Sequence, residues 1–257
     1  MSIKRIFFKM VVISTVIFGG CKNNPMDQTP NIAQAGEEEL TVAVLEALAW
    51  GFPVRYGTEE WKTLKTVEEQ FNAYNIPDEI IKTISTEELV KICLNYPEWG
   101  LMNAYNSRST GFSVLVDLFN GFRELFSRDD AASELLKVYE KLDPLAVDPG
   151  WTDLQQGEFG FEFTKIEMFF NQKVMIDKLD NEGLKSLKKI ATEKYQNKKM
   201  MPKMYSLWNL SPTAGIFVYI IEKENASLLE NRRSEINSFK YYMMSENIQF
   251  LDSIVEL

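Results

Sequence analysis

The side chains of this sequence that could do chemistry are carboxylates, one serine and lysine pair, and two cysteines. Histidine does not occur, which excludes Ser-His-Asp and Cys-His nucleophile pairs, His-liganded zinc and an imidazole base. Ser186 and Lys189 have the Ser-x-x-Lys spacing of penicillin-recognising enzymes, yet the companion Ser-Asp-Asn and Lys-Thr-Gly motifs do not occur. We therefore interpret this spacing as a chance match.

Two pairs of acidic residues have the composition of a glycosidase site. Glu158 and Glu162 form one pair, and Asp117 and Glu124 form the other. Two facing carboxylates could act as acid and base on a glycosidic bond. The chain has 37 acidic residues, however, and most acidic pairs in such a sequence lie on solvated faces. We expect catalysis from neither pair.

Three aspartates, Asp143, Asp148 and Asp153, cluster in a segment that also contains prolines and a glycine. Their carboxylate oxygens are of the type that calcium prefers, but their spacing does not match an EF-hand loop. The sequence also has no glycine-rich phosphate loop and no cysteine pair with metal-binding spacing. It therefore predicts a plain acidic loop, without a metal or another cofactor.

Lysines concentrate in one zone of the C-terminal half. They could meet an anionic partner or phospholipid headgroups. Lysines toward the C-terminal end of a helix are also typical of a solvated face, and this is the arrangement we expect. The zone consists of Lys185, Lys188, Lys189, Lys194, Lys198, Lys199 and Lys203.

Two smaller groups have both a structural and a functional interpretation. Arg123 and Glu124 adjoin bulky apolar positions, where they would either pair with other helices or line a pocket. The aromatic residues Tyr96, Trp99 and Tyr105 lie near a turn, where they would form either the edge of the core or a platform for a sugar. We expect the structural role for both groups.

The hydrophobic pattern predicts an all-α fold. Phe112 to Phe126 is apolar except for one narrow polar stripe, which indicates a single, largely buried helix. An amphipathic helix follows from Ala131 to Leu142, and the last helix is expected over 234–255. A short strand-like pattern also occurs, in which Phe159, Phe161 and Phe163 alternate with other residues.

We predict an irregular multi-helix bundle of about nine to eleven helices without a sheet. Residues 37–257 would form a single helical domain. The longest break inside it contains Pro144, Pro149 and Gly150, and a subdomain boundary could lie there, near 143–157.

The N-terminus has the pattern of an export signal. Lys4, Arg5 and Lys9 flank and interrupt an apolar run that ends in small residues, and this run is short for a membrane span. Residues 1–20 are therefore predicted to be a signal peptide. Residues 21–36 are polar and lack periodicity, as in a flexible tether.

The sequence from Phe18 to Cys21 resembles the lipobox of bacterial lipoproteins, although leucine is usual where Phe18 stands. The resemblance implies that the Cys21 thiol carries a diacylglycerol and becomes the first residue after cleavage. It also implies export and lipid anchoring to the bacterial cell envelope, at the outer membrane. Cleavage by the ordinary signal peptidase is the alternative. If Cys21 is lipidated, Cys93 has no disulfide partner, and we expect a buried thiol rather than a reactive one.

Four segments of the chain also resemble a family of uncharacterised secreted, all-helical bacterial proteins. This resemblance implies a shared fold and no particular activity. The segments are Ser85–Val90, Asn95–Pro97, Ala104–Asn106 and Phe119–Phe126.

Charge narrows the choice of partners. The net charge is −9, and residues 1–20 contain three basic and no acidic residues, so the remainder carries −12. An acidic body argues against nucleic-acid binding.

The leading hypothesis is an exported lipoprotein, held at the membrane by its N-terminal lipid, that binds or scaffolds something, such as a protein partner, without catalysis. The alternatives are a carboxylate-dependent hydrolase of envelope or environmental glycans, and an inhibitor or immunity-like protein that binds a basic partner.

Overall fold

A computed structural model describes residues 48–257 of the chain. These residues form thirteen α-helices and two short 3₁₀ helices and contain no strand. The predicted all-α fold is therefore confirmed, with somewhat more helices than the nine to eleven expected. The predicted signal peptide, the tether and Cys21 lie outside the described residues. The described residues fall into two compact units, of which the first ends at Tyr74 and the second spans residues 75–257, and the possible subdomain boundary near 143–157 stays a prediction.

The described part of the first unit contains two short helices, α1 (Glu59–Thr63) and α2 (Val67–Asn72). Threonine side chains accept hydrogen bonds from free amides at the start of both helices, as is typical of N-caps. The ring of Tyr74 lies 5.3 Å from that of Trp61, and the Tyr74 carbonyl accepts from the Trp50 indole at 3.0 Å. These contacts tie the short helices to the segment before them.

The second unit contains eleven α-helices and both 3₁₀ helices. In chain order they are α3 (Asp78–Ile81), α4 (Thr86–Leu94), the first 3₁₀ helix (Trp99–Ala104), α5 (Arg108–Leu118), α6 (Asn120–Ser127), α7 (Ala131–Lys141), α8 (Asp153–Phe170), α9 (Lys173–Lys178), α10 (Asn181–Met200), α11 (Leu207–Asn225), the second 3₁₀ helix (Ala226–Arg232), α12 (Arg233–Tyr242) and α13 (Ile248–Val255).

The core of this unit is built on α11. Both α8 and α10 pack along it, and α13 also contacts it. Its residues 214–221 are almost wholly apolar, a pattern that by itself predicts burial, and almost all of them are buried. A cluster of aromatic rings fills the space toward α5 and α6, where Phe122 lies 5.4 Å from Phe169 and 5.1 Å from Trp99. Any polar side chain on the inner face of these helices is therefore enclosed by apolar side chains.

The prediction of one helix from Phe112 to Phe126 is wrong, because the chain breaks at Phe119 between α5 and α6. The reason is a set of tertiary hydrogen bonds at Asn120. Its backbone N–H donates to Asn75 Oδ1 at 2.9 Å, and its side chain both accepts from the Ile76 N–H at 2.9 Å and donates to the Ile76 carbonyl at 2.8 Å. These bonds lie outside any local pattern, so periodicity could not reveal them.

One further expectation is corrected, and the prediction of no sheet is confirmed at the short alternating pattern. The last helix is not continuous over 234–255, because Met243 adopts a left-handed conformation with φ of 48° and separates α12 from α13. The alternating Phe159, Phe161 and Phe163 do not form a strand but lie within α8. Thr152 begins that helix with a reciprocal capping box, and this local signal outweighs a short alternation.

Candidate functional site

Each of the two acidic pairs considered for a glycosidase site has one carboxylate in a local ion pair. Glu162 forms an ion pair with Lys165 at 2.5 Å, whereas Glu158 is exposed. Glu124 pairs with Arg128 at 3.0 Å on α6 and its C-cap. One carboxylate of each candidate pair is thus engaged by a neighbouring cation.

The aspartates of the acidic loop take part in turns. Asp143 accepts from the Leu145 amide at 2.9 Å, and Asp148 accepts from the Gly150 amide at 2.7 Å. No group of three or more potential ligand side chains that could hold a metal ion occurs within residues 48–257. Asp153 lies in the first turn of α8, where a carboxylate favours the positive end of the helix.

The aromatic group and the lone thiol belong to the core. Tyr96 stacks on Phe119 with ring centroids 4.6 Å apart, and the Trp99 indole donates to the Cys93 carbonyl at 2.9 Å. Burial raises the pKa of the Cys93 thiol well above its ordinary value. The prediction of a buried thiol is confirmed. Tyr105 is half-buried, and burial raises its pKa as well.

Arg123 has a structural role. Its guanidinium donates to the carbonyls of Val116 and Asp117 at 3.0 Å and 2.6 Å. These are carbonyls near the C-terminal end of α5, which the helix itself leaves without donors. Arg123 therefore stabilises the end of one helix from the first turn of the next.

The lysine zone is not simply a solvated face. Lys185 and Lys189 are exposed, as are Ser186 and Lys203, but Lys194 and Lys198 are buried. The prediction of a solvated face is therefore wrong for these last two residues. Helical spacing continues the buried line of α10 onto them, since one heptad further on from the buried Leu187 and Ala191 come positions 194 and 198.

Lys198 belongs to a cluster that we call the buried polar centre, consisting of Arg108, Tyr139, Glu167, Lys198 and Thr213. Oε1 of Glu167 accepts from Tyr139 Oη at 2.8 Å, from Lys198 Nζ at 2.7 Å and from Thr213 Oγ1 at 2.7 Å. Five different helices, α5, α7, α8, α10 and α11, supply its members. The centre therefore joins the helices that form the core of this unit.

The electrostatics of the centre follow from its burial. Burial lowers the pKa of Lys198, and the neighbouring Glu167 carboxylate opposes that shift. Burial also raises the pKa of Tyr139 well above its ordinary value, and the Glu167 charge acts in the same direction. Burial lowers the pKa of Arg108 to about 9, against the attraction of Glu167. At neutral pH Arg108 remains charged.

Arg108 binds the start of α11 at a backbone carbonyl that Pro212 leaves without its usual helical donor. A proline has no N–H, so Pro212 cannot donate to the carbonyl four residues earlier, which is that of Trp208. Nη1 of Arg108 donates to this carbonyl at 2.7 Å, and the guanidinium carbon lies 3.6 Å from the centroid of the Trp208 ring. Trp208 thus receives both a hydrogen bond and a cation–π contact from one buried arginine.

Several buried polar atoms of this region have no hydrogen-bond partner. They are Arg108 Nε and Nη2, Thr164 Oγ1, Glu167 Oε2 and Asn171 Oδ1. Buried polar groups are normally satisfied, and each exception needs an explanation. Three of these side chains, those of Thr164, Glu167 and Asn171, lie on α8 and its C-cap at spacings of three and four residues, which places them on one helix face.

A surface groove of about 360 Å³ is a second candidate site. It lies between α7, the end of α9 and the start of α10, and it is lined by charges of both signs. Lys178 is the most buried of them, with 14% of its side chain exposed, and its nearest carboxylate, Asp129, is 3.9 Å away. Every unpartnered buried side-chain atom named above lies elsewhere, so the groove has the weaker claim.

The sequence pattern did not single out Arg108, Glu167 or Trp208. Two signals could have done so. Glu167 interrupts the apolar end of α8 between Ile166 and Met168, where a charge needs a partner. Pro212 falls inside a helix, so some donor must replace its missing N–H.

Comparison with protein-family models, with curated proteins and with solved structures finds no match for this chain. None of the helices in the described part of the chain combines the length and the apolar character needed to cross a membrane. The function is therefore argued from the site and the sequence alone.

Proposed function

We propose that this chain is an exported lipoprotein, anchored through Cys21, whose helical body binds a ligand without transforming it. The observation that carries the binding role is the buried guanidinium of Arg108, whose Nε and Nη2 have no partner. An unpaired buried charge is unfavourable in a protein that has no use for it. Strongly perturbed ionisable groups tend to occur at functional sites.

Binding is favoured over catalysis by the surroundings of the acidic residues. Glu162 and Glu124 are engaged by Lys165 and Arg128. Within the buried polar centre, Oε1 of Glu167 accepts three hydrogen bonds, one of them from the Lys198 amine with which it forms an ion pair. A general acid or nucleophile needs access to a substrate, whereas such a carboxylate serves to hold cations in place.

The anchor supports the same role. Residues 1–20 have the pattern of a signal peptide, and the sequence ending at Cys21 resembles a lipobox. Several acyl chains on one terminus give stable attachment, since each buried methylene contributes about 0.8 kcal/mol. A binding module on such an anchor would retain its ligand, or its partner, at the membrane.

Two measurements on the full-length chain test this proposal. Labelling of producing cells with radioactive fatty acid should mark the wild type and leave Cys21→Ala unlabelled; equal label in both would contradict the anchor. Thermal unfolding of the detergent-solubilised protein should then be followed with anionic, cationic and neutral small molecules. At least one class should raise the unfolding temperature saturably, and turnover of a compound would argue against a pure binding role.

A further inference from the structure

The two unpartnered nitrogens of Arg108 form one edge of its guanidinium. Nη1 is used by the Trp208 carbonyl at 2.7 Å, whereas Nε and Nη2 have no acceptor. The N–H groups on the Nε and Nη2 edge of a guanidinium point in parallel. This fork matches the two oxygens of a carboxylate or a phosphate.

The charges around this edge are not balanced. Lys198 takes the one carboxylate of the buried polar centre, Glu167, at 2.7 Å. Arg108 has no ion pair within 4.0 Å among residues 48–257, although Glu167 lies near enough to oppose the lowering of its pKa. Two buried cations therefore share one carboxylate, and one further negative charge would neutralise the set.

A half-buried arginine elsewhere in the same unit, Arg128, shows the ordinary arrangement. Arg128 donates from Nε to Glu124 at 3.0 Å and from its other nitrogens to the carbonyls of Ile84 and Ile81 at 2.8 Å and 2.7 Å. All three of its nitrogens are engaged. Arg108 is more deeply buried, with only 3% of it exposed, yet two of its three nitrogens have no partner.

The first turn of α11 lies between Arg108 and solvent. Trp208 covers the guanidinium but is itself 40% exposed, so it lies between the buried charge and solvent. Its carbonyl lacks the usual helical donor because residue 212 is proline. The turn is held by Arg108, by the reciprocal capping box between Ser206 and Asn209, and by backbone hydrogen bonds to the Ser206 carbonyl. The Trp208 carbonyl itself is held by a side chain rather than by a helical N–H.

From these observations we infer that the buried polar centre binds a small oxyanion, a carboxylate or a phosphate, on the Nε and Nη2 edge of Arg108, with Trp208 as the lid. This inference rests on the proposed binding function and names its ligand class. Thr164, one helical turn before Glu167, has a buried hydroxyl without a partner and is a candidate for an additional donor on the same face of α8. No bond is formed or broken in the ligand.

The test uses the full-length chain in detergent, titrated with sodium acetate and with sodium phosphate against sodium chloride at equal ionic strength. We expect one of the two oxyanions, and not chloride, to raise the unfolding temperature saturably and to change the tryptophan fluorescence. Arg108→Lys keeps the charge but loses the fork, so its affinity should fall on the order of tenfold or more. Arg128→Lys is the matched control and should bind as the wild type does.

Trp208→Phe provides an independent readout if Arg108→Lys does not fold. This variant removes the indole that covers the guanidinium, so it should lose the fluorescence change that the oxyanion causes in the wild type. A fluorescence change that persists in Trp208→Phe would overturn the inference, because the anion would then bind elsewhere. Equal affinity in Arg108→Lys, or the absence of any oxyanion effect beyond that of chloride, would also overturn it. Stabilisation by a different class of molecule alone would overturn the oxyanion inference and leave the binding function standing.

Discussion

Oε1 of Glu167 and Nζ of Lys198 lie 2.7 Å apart, and both side chains are completely buried. A pair without access to water gains a strong attraction but loses the hydration of two charges, so its net contribution to stability is small. Removal of either side chain would nevertheless leave the other as an unpaired buried charge. The remaining hydrogen bonds to Glu167, from Tyr139 and Thr213, are of the kind that make such a pair tolerable.

The first prediction concerns the loss of one partner. Glu167→Gln should lower the free energy of unfolding by about 3 to 5 kcal/mol, because Lys198 would remain as an uncompensated buried charge. The double variant Glu167→Leu with Lys198→Met should be less destabilised than the sum of the two single changes. Denaturant unfolding measures all of these, with the exposed pair Glu182 and Lys185 as control. A variant Glu182→Gln as unstable as Glu167→Gln would contradict this account.

The second prediction concerns the carbonyl of Trp208. In an Arg108→Met background this carbonyl has lost its donor, so Pro212→Ala should restore a helical hydrogen bond to it. We expect Pro212→Ala to be more favourable in that background than in the wild type by about 1 to 3 kcal/mol. A cycle of unfolding measurements gives this coupling. Strictly additive effects would mean that Arg108 does not replace the missing proline N–H.

The third prediction concerns the break between α5 and α6. Asn120→Ala removes the side chain that pairs with both backbone groups of Ile76. The free energy of unfolding should fall by about 1 to 3 kcal/mol, since part-buried backbone groups lose their partners. The control is Asn197→Ala, at a half-buried position of α10, and denaturant unfolding compares the two variants. Equal stability of wild type and Asn120→Ala would show that the break has another cause.

Alkaline pH should destabilise the fold. Burial raises the pKa of Tyr96, Tyr139, Tyr195 and Tyr205, and it raises that of Tyr219 to about 12. Above pH ~10 the unfolded chain releases these protons and the folded chain keeps them, so stability falls as pH rises. The wholly buried Tyr139 alone should contribute about 1.4 kcal/mol per pH unit.

Lys194, Lys198 and Arg108 act in the opposite direction, because their lowered pKa values make the folded chain release a proton before the unfolded chain does. The two lysines add stability only up to the ordinary lysine pKa, and the five tyrosines outnumber the three cations. Unfolding midpoints near neutral pH and at strongly alkaline pH, together with phenolate absorbance, provide the measurement. Titration of all 10 tyrosines while the protein remains folded would contradict the assignment of these side chains to the interior.

The fold could be predicted from the sequence more fully than the site. Periodicity and caps predicted the all-α class, and the apolar run 214–221 was correctly placed in the interior. The breaks at Phe119 and Met243 were not predicted, and the first of them depends on a long-range contact, that of Asn120 with Ile76. The buried polar centre was missed for a similar reason, since its members come from five helices and no local spacing joins them.

The reactivity of the two cysteine thiols tests both the burial of Cys93 and the lipid on Cys21. Cys93 is buried with a raised pKa, so a thiol reagent should not label it in the folded protein. In denaturant, the membrane-extracted wild type should react with one equivalent, at Cys93, because a lipid on Cys21 blocks the second thiol. Cys93→Ala should then show none. Two reactive thiols per chain would argue against lipidation.

The mass of the mature N-terminal peptide tests the anchored binding module most directly. The account predicts that mass spectrometry of the membrane-extracted protein finds Cys21 as the first residue, carrying a diacylglycerol on its sulfur. A mature chain that begins at another residue, or that begins at Cys21 with a free thiol, would contradict it.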